Sequence, residues 1–200
     1  LGLMQELVPN QGDAWKFMLE EVDRIFENLS YRKIKIDKLP EVELFSRLRL
    51  NDIPHEIIDW AGLKIFLRIR TMATRTAEMH IALGSDIHET AFTPITYNSD
   101  YSVWLKNRLT YQFQNRLNIL ENNLHKLDGL ALELANQFLD QKKNIRKIFL
   151  DFDWTKMKSE RIRIHGDYHL GQVLVNGEDF FILDFEGEPE STISDRKVKQ

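Results

Sequence analysis

The sequence predicts an α+β fold, a mostly helical body that leads into a small β-hairpin near the C-terminus. Three observations carry this. Apolar residues recur at helical spacing up to the acidic-aromatic turn DFDW at 151–154; the rhythm then changes to the short runs RIRI, QVLV and FFIL; and the pair Asn176-Gly177 stands between the last two runs as a hairpin signal.

Taken in order, the opening LGLMQELVP suits a buried strand or its end, and Pro9, Asn10 and Gly12 break it. Asp13 is placed to cap a helix running through about Leu29, with Trp15, Met18, Leu19, Val22, Ile25 and Phe26 forming the stripe of a surface helix packed on a core. Between Ser30 and Pro54 the pattern is mixed, Pro40 and Pro54 interrupt it, and no element is assigned. From Ile57 to Gly84 the apolar residues Ile65, Leu67, Ile69, Met72, Met79, Ile81 and Leu83 predict one buried helix, with Gly84 as its stop. The polar stretch Ser85 to Asp100, containing Pro94, reads as a loop. Two helices follow. Leu109, Phe113, Leu117, Leu120, Leu124 and Leu127 share a face of the first, and Gly129 separates it from a second over about Leu130 to Ile145, carrying Leu134, Phe138 and Leu139.

Composition narrows the function classes. An apolar content of 42% in 200 residues supports a sizeable core, and one domain is the default for this length. Lys+Arg 27 against Asp+Glu 31, a formal charge of -4, gives no general attraction to nucleic acid or to a membrane surface. Without cysteine there is neither a disulfide framework nor a thiolate metal site, which suits a reducing compartment such as the cytoplasm. The N-terminus lacks the basic start and apolar core of a signal peptide, and no stretch has the ~20 apolar residues of a membrane span, so the chain reads as soluble. It starts without an initiator methionine and stops in the charged run SDRKVKQ, which is expected of a piece of a longer protein.

The specific signal is HGDYHLGQVLVNGEDFFILDFEGEPE. His165, Gly166 and Asp167 follow RIRI, Gln172 opens the next strand and Asp184 closes the third. A hairpin returns its strand ends to one place, so Gln172 and Asp184 are expected to converge beside the Asp167 loop. Oxygen-bearing side chains gathered so fit a site for Mg²⁺, shared with nucleotide phosphates. Phosphoryl transfer needs a carboxylate that orients and deprotonates the attacking hydroxyl, which is the role assigned to Asp167, and metal-bound oxygens that hold the phosphates. In the kinase pattern an Asn stands five positions after the catalytic Asp and an Asp-Phe-Gly follows; here Gln172 takes the Asn place and Asp184-Phe185-Glu186 the other, with Glu186 replacing Gly. Singly, HGD also reads as a capped loop and DFE as an exposed strand end; the two in order on a loop and hairpin frame favour a phosphotransferase site. A zinc site of His165, Asp167 and His169 is the competing reading, weakened by the absence of a fourth-ligand cluster. In the phosphotransferase reading His165 braces the loop, His169 braces it or faces substrate, and Glu186 is grouped with them.

At these residues the chain resembles the aminoglycoside-phosphotransferase and choline-kinase relatives of protein kinases, whose loop reads H-G-D-x-H-x-x-N, with Gln172 as the departure. HGDYHLGQVL followed by LDFEGEP is more similar to the maltokinases, and QELVPNQGDAW and RTAEMHIAL agree with that narrower likeness. The resemblance implies the mostly helical C-terminal lobe of a protein-kinase-like fold, with a hinge at 1–12, a helical lobe at 13–150 and the catalytic loop and metal-binding hairpin at 161–190. It implies that the backbone at Glu6, Leu7 and Val8 meets the adenine of ATP, that RTAEMHIAL is a packing helix, and that the γ-phosphate passes to the anomeric hydroxyl of maltose. It also implies fusion or association with a trehalose synthase. With Leu1 near the hinge, the N-terminal lobe and the last helices are expected to be missing, leaving the segment by itself a defective catalyst. Another sugar or amino-alcohol kinase, and a non-catalytic kinase-like module, are the alternatives.

Overall fold

The structure, a computed structural model, describes residues 6–33 and 49–187 together with Thr192, Arg196 and Lys199. The first five residues of the expected hinge, the break at Pro40 and the Glu188-Pro189 end of LDFEGEP lie outside the described residues. By its internal contacts the chain divides into two compact units, Leu1–Thr93 with Ile162–Gln200 and Pro94–Arg161. Among the described residues no helix is long and apolar enough to cross a membrane.

The first unit begins with helix α1, Ala14–Tyr31, which starts where expected because the Asp13 carboxylate accepts from the Lys16 amide at 2.9 Å. The expected apolar stripe divides: Met18 and Ile25 are half-buried, whereas Trp15, Leu19, Val22 and Phe26 are exposed. The long helix expected from Ile57 is two helices, α2 at His55–Ala61 and α3 at Leu63–Leu83. Gly62 separates them with φ +86°, a conformation that side chains rarely adopt. Polar groups of α1 close the end of α2: Arg24 Nη2 donates to the Ala61 carbonyl at 2.8 Å and Asn28 Nδ2 to the Trp60 carbonyl at 2.7 Å, meeting acceptors that a helix end leaves unpaired.

Helix α3 is amphipathic rather than buried. Ile65, Met79 and Leu83 are buried, but Leu67, Ile69 and Ile81 are exposed. Its inner face also carries a buried cation, Arg68.

The hairpin consists of β3, Val173–Asn176, and β4, Asp179–Ile182, antiparallel with Val173 opposite Ile182 and Asn176 opposite Asp179. That register makes Gly177 and Glu178 the two loop residues, so the Asn176-Gly177 pair does not form the turn by itself. Only Gly177 of the two has positive φ, +57°, the pattern of a type II′ turn. Alternation puts Val173, Val175 and Phe180 into a core with Ala14, flanked by Phe17, Met72, Leu170 and Ile182. Burying a side chain such as Phe180 contributes about 2–3 kcal/mol. The outer edge of β3 is covered as well: the Gln11 amide donates to the Val175 carbonyl at 2.8 Å and the Val175 amide to the Gly12 carbonyl at 2.9 Å, and Asp13 bridges to Leu174. The segment RIRI is not a hairpin strand, because only Arg161 of it is in a strand.

Two arginines of α3, seven residues apart and so on one face, fasten the hairpin. Arg68 donates to the Gly177 carbonyl and to Glu178 Oε1, and its guanidinium lies 5.6 Å from the centre of the Phe17 ring. Arg75 grips Asp179 with both Nε and Nη2, at 2.7 and 2.8 Å.

In the second unit β1, Ile95–Thr96, pairs with β2, Glu160–Arg161. Helix α4 spans Ser99–Asn123, beginning well before Leu109 because Asn98 caps it by accepting from the Tyr101 amide at 2.9 Å. Helices α5, Gly129–Asp140, and α6, Lys142–Asp151, replace the single expected helix. Ala135 is the buried residue of α5, while Leu134 and Phe138 are exposed. Tyr101 is buried between the Trp104 ring, stacked at 5.1 Å, and the Arg161 guanidinium at 4.1 Å.

Arg68→Ala is expected to cost about 2–3 kcal/mol in denaturant unfolding, by leaving a carbonyl unpaired and a core gap. Glu178→Ala should stay within about 0.5 kcal/mol, since an exposed carboxylate contributes little; equal losses would show that the ion pair, not the carbonyl, is the main partner. Hydrogen bonds from Arg75 and then from the Phe180 amide hold the Asp179 carboxyl below its ordinary value. A lowered native pKa contributes stability that is present at neutral pH and lost as pH falls through the acid range. Asp179→Asn should therefore flatten the decline in stability below about pH 4, and an unchanged acid profile would contradict that role.

Candidate functional site

The site is built where the loop after β2 meets the open end of the hairpin. His165 is 2% exposed and its two ring nitrogens face different elements. Nε2 lies 2.6 Å from the Leu183 carbonyl, and Nδ1 accepts from the Asp167 amide at 3.3 Å. A carbonyl only accepts and an amide only donates, so both bonds together require the neutral Nε2–H tautomer. Phe185 and Tyr168 flank the ring, with centroids at 4.8 and 5.6 Å. His165 thus connects its own loop to the end of the hairpin.

Gly166, with φ +90°, turns the chain after His165 and leaves Asp167 half-buried. His169 begins the short turn Leu170–Gln172: its Nδ1 accepts from the Gly171 amide at 3.1 Å. A Cβ on Gly171 would come within 2.8 Å of that imidazole, so glycine is needed for the cap. His169 Nε2 stands 3.8 Å from Asp167 Oδ2, close enough for an electrostatic contact and too far for a hydrogen bond.

Gln172 is the last residue of this turn rather than the first of the strand. Its carbonyl accepts from the Leu183 amide at 2.9 Å, and its Nε2 donates to Asp184 Oδ2 at 2.9 Å. The hairpin therefore brings together the two residues expected to converge. Asp184 is exposed and has φ +61°, a left-handed backbone that costs a non-glycine residue roughly 1 kcal/mol and that Asp tolerates better than most. Glu186 is exposed and its carbonyl accepts from Arg196. Glu6 and Leu7 are exposed and Val8 is half-buried, with the Val8 carbonyl accepting from Asn10 Nδ2 at 2.9 Å. Their connection to the site runs along the chain to Gln11 and Gly12 on the edge of β3.

Among the described residues no three His, Asp or Glu side chains gather as a metal cluster, so the zinc reading of His165, Asp167 and His169 finds no support here. Both histidines also use Nδ1 to accept from the backbone. Asp184 and Gln172 together offer a carboxylate and an amide, which fits Mg²⁺, a cation that takes one or two protein oxygens and fills its remaining positions with water and phosphate. Residues that sequence reading missed are Arg68, Arg75 and Asp179, which hold the hairpin in place. Their signal was available: two arginines at a seven-residue interval on the face that carries Met72 and Met79.

No protein-family model matches the chain. Among solved structures, a glucosamine kinase in complex with glucosamine, ADP and inorganic phosphate is similar over 96% of this chain, with a TM-score of 0.59 and 18% identity. A further crystal form of glucosamine kinase matches over 97% with a TM-score of 0.58. This chain spans 37% of the length of the first of these structures. The likeness is one of fold: mostly helical and kinase-like, with small antiparallel two-stranded sheets.

The backbone at Asp184 gives a direct check. Asp184→Gly should unfold within about 0.5 kcal/mol of the parent, because relief at positive φ offsets the lost hydrogen bond. Asp184→Ala should be less stable by about 1–2 kcal/mol, since it keeps the conformation without the bond. Equal stabilities for the two variants would contradict a left-handed residue at this position.

Proposed function

We propose that the parent protein of this chain is a sugar kinase, transferring the γ-phosphoryl group of ATP to a sugar hydroxyl. The observation that carries this reading is the Gln172–Asp184 pair, hydrogen-bonded at 2.9 Å, at the end of a hairpin that shares His165 with the Asp167 loop. Asp167 accepts the proton of the attacking hydroxyl and orients it. Its backbone is held through His165, so the carboxylate keeps its place while the substrate changes. Asp184 and the Gln172 amide oxygen would hold a divalent cation, which offsets charge on the phosphates when bound. In this structure the Gln172 amide nitrogen faces Asp184, so rotation of the amide presents its oxygen. The backbone at Glu6, Leu7 and Val8 is the proposed adenine contact, resting on the resemblance alone.

For the acceptor, HGDYHLGQVL and LDFEGEP favour maltose, giving maltose 1-phosphate, in a cytoplasmic enzyme fused to or associated with a trehalose synthase. A second reading is an amino sugar, favoured by likeness to a structure that contains glucosamine. The full-length parent should be assayed for ATP consumption with maltose, glucosamine, glucose and choline. Turnover of maltose above the rest supports the first reading, preference for glucosamine supports the second, and turnover of choline alone rejects both. Asp167→Asn should lower kcat by about a hundredfold or more with nucleotide binding retained. Asp184→Asn should weaken Mg²⁺-dependent binding of a non-hydrolysable ATP analogue, measured by calorimetry, as well as turnover. Normal Mg²⁺-dependent binding by that variant would remove Asp184 from the metal site.

A further inference from the structure

We propose that Tyr168 and Thr76 form a positioning pair that fixes the Asp167 loop against α3 and aims the Asp167 carboxylate before substrate arrives. What is being aimed rests on the sugar-kinase reading; that the loop is fixed rests on hydrogen bonds. Thr76 Oγ1 lies 2.9 Å from the Met72 carbonyl and 2.6 Å from the Tyr168 hydroxyl. The carbonyl only accepts, so the single Thr76 hydroxyl proton goes to Met72, and the Tyr168 O–H donates to Thr76. The direction of the chain is therefore set: Tyr168 to Thr76 to the α3 backbone.

Tyr168 follows Asp167 directly, and its ring lies 5.6 Å from that of His165. Asp167 is thus held on both sides, its own amide by His165 and the next residue by α3. Tyr168 is 39% exposed, so packing alone restrains it weakly and the hydrogen bond defines where its ring stands. The hairpin does not need this bond, because Arg75, one residue earlier on α3, already grips Asp179. The stretch RTAEMHIAL, read from sequence as packing, supplies Arg75 to the hairpin and Thr76 to the loop from adjacent positions.

The test uses the full-length parent with Tyr168→Phe, Thr76→Val, Thr76→Ser and the Tyr168→Phe/Thr76→Val double variant. Phe and Val remove the donor and the acceptor at nearly constant shape, and Ser restores the acceptor. Amide hydrogen exchange across residues 166–171 without substrate should rise about tenfold in the Phe and Val variants. Their kcat should fall about tenfold, with KM for ATP within about twofold, because loop position affects the chemical step more than nucleotide binding. Thr76→Ser should match the parent, and the double variant should be no worse than either single one. Unchanged loop exchange in Tyr168→Phe overturns the proposal; so do additive losses in the double variant, or a Ser variant as impaired as Val. If the parent turns over none of the sugars, the sugar-kinase reading fails by itself, and the exchange measurements still decide whether the pair fixes the loop.

Discussion

One buried imidazole joins the two halves of the candidate site. His165 is buried and uses both nitrogens on backbone groups, one in its own loop and one beyond the end of β4. An imidazole whose two bonds are opposite in sense has one neutral tautomer that satisfies both, because a proton on Nδ1 would set donor against donor at the Asp167 amide and acceptor against acceptor at the Leu183 carbonyl. The placement of Asp167 relative to the Leu183-Asp184 corner is therefore fixed by bond direction and not by packing alone. The hairpin itself holds Gln172 beside Asp184, and His165 ties the Asp167 loop to that pair.

Behind that imidazole, α3 serves as the foundation. Its inner face combines apolar contacts with Arg68, Arg75 and Thr76, so the hairpin and the loop are registered against the same rigid helix. The apolar contacts supply most of the stabilisation, as expected for burial of Val173, Val175 and Phe180. The polar ones supply position. An apolar face can slide by a fraction of a turn at little cost, whereas a two-toothed guanidinium on Asp179 accepts one geometry.

Much of this frame was legible in the sequence because it depends on local rules. Asp13 caps α1 by contact with a residue three positions on, and the two runs around Asn176-Gly177 pair by alternation. The convergence of Gln172 and Asp184 then follows from the hairpin itself. The failures have other causes. Apolar periodicity runs on through Gly62, so the break between α2 and α3 shows only in backbone conformation. The early start of α4 was hidden because Pro94 and the polar residues around Asn98 read as loop, although Asn98 is itself a capping residue. The interval between Arg68 and Arg75 on the face of Met72 and Met79 marks both as inward-facing, but not what they hold, groups of the hairpin more than a hundred positions away. Long-range partners of this kind leave no periodic trace.

The covered edge of β3 bears on how the chain behaves in solution. Gln11 to Asp13 occupy the amides and carbonyls that β3 would otherwise offer sideways, and the Gln11 side chain also accepts from the Gly177 amide. A strand whose edge is open is a template for strands of neighbouring molecules. These few residues before α1 therefore act as a seal against self-association, and a truncation that starts at Ala14 would keep the whole hairpin while making it sticky.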